Sequence, residues 1–447
     1  FGSRLAVRFA TSGHHTAMFT VLLAAAGGCD SNTGGTCQVL ACHFWRHAEC
    51  RGGQCVCPPG QCAVDGTCLP APAVPQGRGG QVPWGPKTAL VMSGGGARGA
   101  FEVGALEQIC EDKELQQDVA WSMVVGSGIG AFNAASLAQF PYGTQCSQAV
   151  PALARDWEAL TTQMDVLSGP DGAWSLPFAD DNCNVEAHTL AMLHSFWTTG
   201  GLCKPDQGYR TFEYETNASY IHSSGMALRV VATDITTGEA HWWNEKSPEI
   251  IKATEASAAL APVVPPVEVA GRYYIDGGLV VATPIIRALT DGADTVLVLE
   301  VGPTHAVGVN ASTIEAGSDV GHQVIEFELT LLEQVIFLRQ ELSDACAKFP
   351  AARILGFVTN ATWGSVIDFN AAEVRDLRQD GRAAVKNGYV DLCSKFQMPR
   401  GEGGMLAVQG RWGGLAAGVA ALGLALGAVA LLTKQSRDND VYQRMVV

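Results

Sequence analysis

The chain has 447 residues, 47% of them hydrophobic, and 29 basic residues stand against 44 acidic ones for a formal net charge of −15. That is enough apolar material for one large α/β domain with appendages. The acidic balance argues against nucleic acid as a partner, because a phosphate-binding surface has to be basic.

Of the 14 cysteines, eight fall between Cys29 and Cys68, and the rest are Cys110, Cys146, Cys183, Cys203, Cys346 and Cys393. An even count with one dense cluster points to an oxidising compartment. Three N-glycosylation tripeptides agree: Asn217-Ala218-Ser219, Asn310-Ala311-Ser312 and Asn360-Ala361-Thr362.

In chain order, Arg4, Arg8 and Met18 precede the apolar run 19–26, and small residues follow it. Residues 1–28 are expected to be a leader resembling a signal peptide, cleaved near Ala26. Residues 29–68 hold eight cysteines with little room for an apolar core, so disulfides are expected to hold this module together. It resembles small EGF-like modules. A metal site is the weaker reading, since His43 and His47 are not at zinc-finger spacing from paired cysteines. Pro and Gly dominate 69–87, which marks a linker.

Residues 88–395 are expected to form one domain. The pattern predicts strands over 88–92, 121–125, 226–235, 272–276, 295–301 and 354–359. Helices are expected over 101–109, 131–140, 153–164, 253–260, 323–348 and 373–393. Strands alternating with helices imply a parallel sheet covered on both faces. The insert 167–204 mixes Pro and Gly with Trp174, Leu176, Phe178, Leu193 and Phe196, and reads either as a lid or as an ordinary packed subdomain.

From Gly413 to Thr433 run 21 uncharged, mostly apolar residues. At about 1.5 Å per residue they would span the ~30 Å core of a bilayer, so a transmembrane helix is expected there. Gly414/Gly418 and Gly423/Gly427 are GxxxG pairs that could bring helices together. Residues 434–447 would then be a short cytoplasmic tail, with the domain extracellular or lumenal.

The chemistry concentrates in two glycine turns. The first, Ser93-Gly94-Gly95-Gly96-Ala97-Arg98-Gly99, follows an apolar strand and satisfies G-x-G-x-x-G. A dinucleotide site is one reading, but it expects an acidic residue at the end of the next strand. That strand runs instead into the second turn, Gly126-Ser127-Gly128-Ile129-Gly130, which has the shape of a nucleophile elbow. Glycine loops that open helices present backbone N–H groups, suited to an oxyanion as well as to a phosphate.

Four segments in order resemble the patatin-like phospholipase family, lipid acyl hydrolases that include plant patatins and relatives of neuropathy target esterase. They are residues 89–100 with the glycine loop, 125–134 with the elbow, 256–266 with a small-residue helix and its Pro265-Pro266 loop, and 274–284 with Asp276-Gly277-Gly278. The resemblance implies a three-layer α/β/α sandwich with a parallel central sheet. It also implies a Ser–Asp dyad cleaving lipid acyl esters, and no cofactor or metal. By position Asp276 would be the base, and the loop residues Gly94, Gly95, Gly96 and Arg98 would form the oxyanion hole. The family's elbow is Gly-x-Ser-x-Gly, and here the nucleophile position is Gly128, which has no side chain to acylate. Ser127 is one residue early and could serve only if the elbow slipped. Three functions follow: a membrane-anchored lipid hydrolase impaired at Gly128, a pseudoenzyme that binds lipid or protein in the old cleft, and, remotely, a dinucleotide-binding protein.

Overall fold

The computed structural model describes residues 30–38, 41–42, 46–76, 87–118, 120–170, 183, 185–301, 337–357 and 366–396. The leader 1–28, the apolar stretch 413–433 with its GxxxG pairs, the tail 434–447, and Asn310 and Asn360 lie outside the described residues.

Five short strands make the cysteine-rich module: β1 (Asn32–Thr36), β2 (Glu49–Arg51), β3 (Gln54–Val56), β4 (Gln61–Val64) and β5 (Thr67–Pro70). The first three form an antiparallel sheet in the order β1-β3-β2, and the last two form a hairpin. Strands this short bury almost nothing but sulfur: Cys55, Cys57, Cys62 and Cys68 are its buried core, with Leu69. Disulfides join Cys37 to Cys50, Cys42 to Cys55 and Cys57 to Cys68, and Cys62 is also oxidised. The sulfurs of Cys37, Cys42 and Cys55 lie within 4.8 Å of one another, but all three are committed to disulfides. Strand β5 is buried through Pro70, so the ordered module runs two residues into the stretch expected as linker.

The main sheet has nine strands, β6 (Thr88–Met92), β7 (Met123–Ser127), β8 (Ala227–Asp234), β9 (Ala240–Asn244), β10 (Val267–Val269), β11 (Arg272–Ile275), β12 (Thr295–Leu299), β13 (Arg353–Phe357) and β14 (Tyr389–Asp391). Their order is β10-β11-β8-β7-β6-β12-β13-β14, with β9 also on β8. The run β8-β7-β6-β12-β13 is parallel, while β9, β10, β11 and β14 pair antiparallel. The sheet is therefore mixed, not wholly parallel as expected. The reason is local: β10 and β11 are joined by Ala270 and Gly271 alone, both at positive φ, and so tight a turn can only return the chain antiparallel.

Helices are α1 (Gly99–Glu111), α2 (Lys113–Asp118), α3 (Ile129–Ala138), α4 (Val150–Glu158), α5 (Val185–Thr199), α6 (Asp206–Glu215), α7 (Ala218–Ser223), α8 (Ile250–Ser257), α9 (Ile285–Thr290), α10 (Phe337–Lys348) and α11 (Ala371–Lys386). Strands β6, β7 and β12 are buried at every position, as strands covered on both faces must be. Leu90, Met92, Val124 and Leu297 face a core shared with Phe101, Leu106, Leu153 and Ile250 of α1, α4 and α8. Ala89, Val91, Val125 and Val296 face a second core with Ile285, Leu289, Leu338 and Leu342 of α9 and α10.

Two differences from the expected elements affect function. Strand β7 ends at Ser127, not Val125, because Ser127 pairs with Val231 of β8. The helix expected over 373–393 stops at Lys386, after which Gly388 turns at φ 80°, β14 pairs with β13 and a separate short helix, Leu392–Lys395, follows. In the insert, Trp174, Leu176 and Phe178 lie outside the described residues; α5 is present, and Cys183–Cys203 closes the segment.

Cys110–Cys146 and Cys346–Cys393 complete the pairing, and no described cysteine is free. Alkylation without reductant should therefore label no thiol between Cys37 and Cys68, read by peptide mass spectrometry. Cys346→Ala with Cys393→Ala should lower unfolding free energy by about 2–4 kcal/mol in a denaturant titration, since the bond closes a 47-residue separation.

Candidate functional site

Both glycine turns leave the carboxyl ends of adjacent parallel strands, where β6 and β7 pair with Met92 opposite Gly126. This edge is where open α/β sheets place ligands. The first turn leads through Gly96–Arg98 into α1, and the second passes through Gly128 into α3. The register then brings in the third segment. Strand β11 runs antiparallel along the end of β8, with Ile275 opposite Thr233, so Asp276 arrives beside the end of β7.

Gly128 is at φ 57°, ψ −130°, a conformation that suits glycine and strains any other residue. Its N–H donates to Ser257 Oγ at 3.0 Å. A Cβ added to Gly128 would lie 3.3 Å from Asp276 Oδ2 and 3.0 Å from Gly94 Cα. The apex of the elbow thus points straight at the aspartate. At Gly126 a Cβ would overlap the Gly130 carbonyl, so the turn closes only with glycine there.

Asp276 is fixed on three sides. Its Oδ1 accepts from Gly278 N at 2.6 Å, its carbonyl accepts from Thr233 Oγ1 at 2.7 Å, and its N–H donates to Ala259 O at 3.0 Å. Ser127 goes elsewhere. Side chains alternate along a strand, and Ser127 falls on the same face of β7 as Met123 and Val125, away from α3. It is fully buried, 2.8 Å from where a Cβ on Gly277 would be, and its hydroxyl has no hydrogen-bond partner among the described residues.

In the glycine loop Gly94 N already donates to Ala282 O at 3.1 Å, and Ala97 N to Val366 O at 2.8 Å. The N–H of Gly94 is therefore engaged, against its expected place in an oxyanion hole. The N–H groups of Gly95 and Gly96 have no acceptor among the described residues. Arg98 is buried, and with Gly94, Gly95, Gly96 and Asp276 it lines one cavity.

That cavity has a volume of about 170 Å³. Its wall is mostly apolar, with Ile129, Phe132, Leu153, Trp157, Phe212, Leu260, Val264 and Phe369. Asp165 is also in the wall and meets His47 of the cysteine-rich module at 2.8 Å. Burial works against the Asp165 charge, but His47 and the Thr161 and Thr162 amides hold its carboxyl below the usual value.

Two carboxyl groups that sequence reasoning missed lie beneath the loop. Glu102 is wholly buried and accepts from Ser93 N at 2.9 Å and from Asn133 Nδ2 at 2.8 Å. Asn133 Oδ1 in turn accepts from Trp157 Nε1 at 2.8 Å. Burial pushes Glu102 well above the ordinary carboxyl range, with the Asn133 and Ser93 hydrogen bonds pulling back. Glu300 accepts from Thr283 Oγ1 at 2.7 Å, and burial pushes it up to about 8. The one sequence signal for Glu102 was an acid inside the otherwise uncharged run 99–106.

Glu300 keeps its proton in the fold up to about pH 8 but loses it near 4.5 when exposed. Between those values the unfolded chain binds fewer protons, so this group lowers stability as pH rises from about 4.5 to about 8. Glu300→Gln should flatten the melting temperature across that window, measured by thermal unfolding at a series of pH values.

Residues 90–289 match the model of the patatin-like phospholipase family. The chain is similar to lysophospholipase NTE1 of Saccharomyces cerevisiae, 24% identical over 229 residues, covering 49% of this chain and 11% of that protein. It is likewise similar to lysophospholipase NTE1 of Coccidioides immitis, 23% identical over 218 residues, 49% of this chain and 12% of that protein. The chain thus spans about a tenth of the length of these relatives. Among solved structures VipD from Legionella pneumophila aligns with a TM-score of 0.33 and 14% identity, over 68% of this chain and 67% of its own, too distant to carry an argument. Matched residues and site coincide in one segment, which identifies residues 90–289 as a domain of the patatin-like phospholipase family.

Proposed function

We propose that this domain takes lipid into its cavity and has lost the acyl-enzyme chemistry of a lipid acyl hydrolase. The carrying observation is the aim of the elbow: a Cβ at Gly128 would stand 3.3 Å from Asp276 Oδ2, and glycine supplies none. With serine there, the hydroxyl would pass its proton to Asp276 and attack the ester carbonyl. The oxyanion would fall to the N–H groups of Gly95 and Gly96, with Arg98 adjacent. Without it, only binding and oxyanion stabilisation remain. Ser127 is no substitute on this reading, because its hydroxyl is on the wrong face of β7. The relatives named lysophospholipase support a lipid substrate class.

The chain reads further as a single-pass membrane protein with this domain on the extracellular or lumenal side. The disulfides, the exposed Asn217 and the apolar run 413–433 support that reading. The GxxxG pairs in that run would serve self-association.

The test is esterase and lysophospholipase assay of wild type beside Gly128→Ser, Ser127→Ala and Gly128→Ser with Asp276→Ala. Wild type should show negligible turnover, and Gly128→Ser should raise it by about a hundredfold or more. Asp276→Ala should remove the gain. Serine at φ 57° should also cost about 1–3 kcal/mol of stability. Robust wild-type hydrolysis abolished by Ser127→Ala would overturn the reading. Expression through a secretory pathway should give a glycosidase-sensitive mass that Asn217→Gln reduces; a chain that reaches the membrane unglycosylated at Asn217 would count against the lumenal placement.

A further inference from the structure

Besides Arg98, Asp165 and Asp276, the mostly apolar cavity wall carries two further acids, Asp156 of α4 and Glu215 of α6. Arg155 binds Asp156 Oδ1 at 3.1 Å and is half-exposed. The Glu215 carboxyl is enclosed, and its Oε1 is buried with no hydrogen-bond partner among the described residues. The Arg155 guanidinium is paired with Asp156, and Glu215 Oε1 leaves the wall an acceptor unmet among the described residues. A plain hydrocarbon tail would leave it unmet, which is costly in an apolar enclosure. Aromatic rings line the same wall. Phe212 lies one turn before Glu215 on the same face of α6 and packs on Phe132 with centroids 4.3 Å apart. Trp157 follows Asp156, its ring held by Asn133.

From the unpartnered Glu215 carboxyl, the adjacent Asp156 and the aromatic wall, we propose that this end of the cavity binds an organic ammonium group carried on an apolar chain, the cationic end of an amphiphile. The carboxyl groups supply charge and the ring faces supply cation–π attraction, which together select a weakly hydrated ammonium over a hard metal ion. Burial holds Glu215 well above the ordinary range and Asp156's charge adds to it, while burial pushes Asp156 up to about 6. Both shifts oppose charging the pair, and an incoming cation would offset that cost. This proposal rests on the reading of the cavity as a lipid site, but not on whether esters are cleaved there.

The experiment is calorimetric titration of the full chain in mild non-ionic detergent with dodecyltrimethylammonium, dodecanol, choline and calcium, each alone. Dodecyltrimethylammonium should bind at least about tenfold more tightly than dodecanol, and choline much more weakly than either. Glu215→Gln and Asp156→Asn should each lower the ammonium affinity about tenfold while leaving dodecanol binding within about twofold. Retained dodecanol binding, with an unchanged or raised melting temperature, shows that the variants are folded. Equal affinity for dodecanol and the ammonium, insensitivity to both substitutions, choline binding as tightly as the amphiphile, or calcium binding lost in Glu215→Gln would each overturn the proposal. Binding of neither amphiphile would overturn it together with the lipid reading. Ammonium selectivity without hydrolysis in Gly128→Ser would overturn only the account of the lost nucleophile.

Discussion

The two glycine turns of the candidate site are tied together by one buried carboxyl. Glu102 stands on α1, accepts the Ser93 N–H at the start of the glycine loop, and accepts the Asn133 amide on α3. Asn133 also donates to the Gly99 carbonyl at 3.2 Å and fixes the Trp157 ring. One side chain thus ties together the two helices that leave the two glycine turns, and carries the connection into the cavity wall. An acid enclosed this fully is costly as an anion, so burial raises its pKa well above the ordinary carboxyl range against the pull of the Asn133 and Ser93 hydrogen bonds.

With the turns held in register, the aspartate comes from the far side of the sheet. The tight return between β10 and β11 sets β11 antiparallel on the end of β8, and Asp276 emerges level with the tip of β7. Its carboxylate then faces the elbow across the width of a missing methylene. Glycine adopts the conformation at the apex at little cost and carries no side chain toward Asp276. Around Gly128 the contacts are close, the Gly95 and Gly96 amides have no acceptor among the described residues, and the cavity wall is mostly apolar.

Much of the fold was legible in the sequence. Strands β6, β8, β12 and β13 stand within two residues of their expected limits, because largely buried strands are runs rich in apolar residues with turn residues at their ends. The short antiparallel strands β9, β10 and β14 were not foreseen. Three to five residues carry too little periodicity, and their pairing depends on partners distant in sequence. Strand β7 was expected to stop before Ser127, since a glycine followed by serine reads as a turn until pairing with Val231 extends the strand.

The site divides the same way. The two glycine turns were readable because backbone conformations that only glycine adopts cheaply leave a local signature, whereas Asp276 was singled out only through the family resemblance. Which amides are free, which face Ser127 occupies, and how Glu102, Asp156 and Glu215 are enclosed were not readable. Those depend on the register between strands and on which helices close over them, and burial is a property of the assembled chain. The sequence alone determined that glycine stands at residue 128, at the middle of the second glycine turn. Only the tertiary structure decided that the elbow is still aimed at the aspartate, because that requires β7 and β11 to end side by side on the edge of β8.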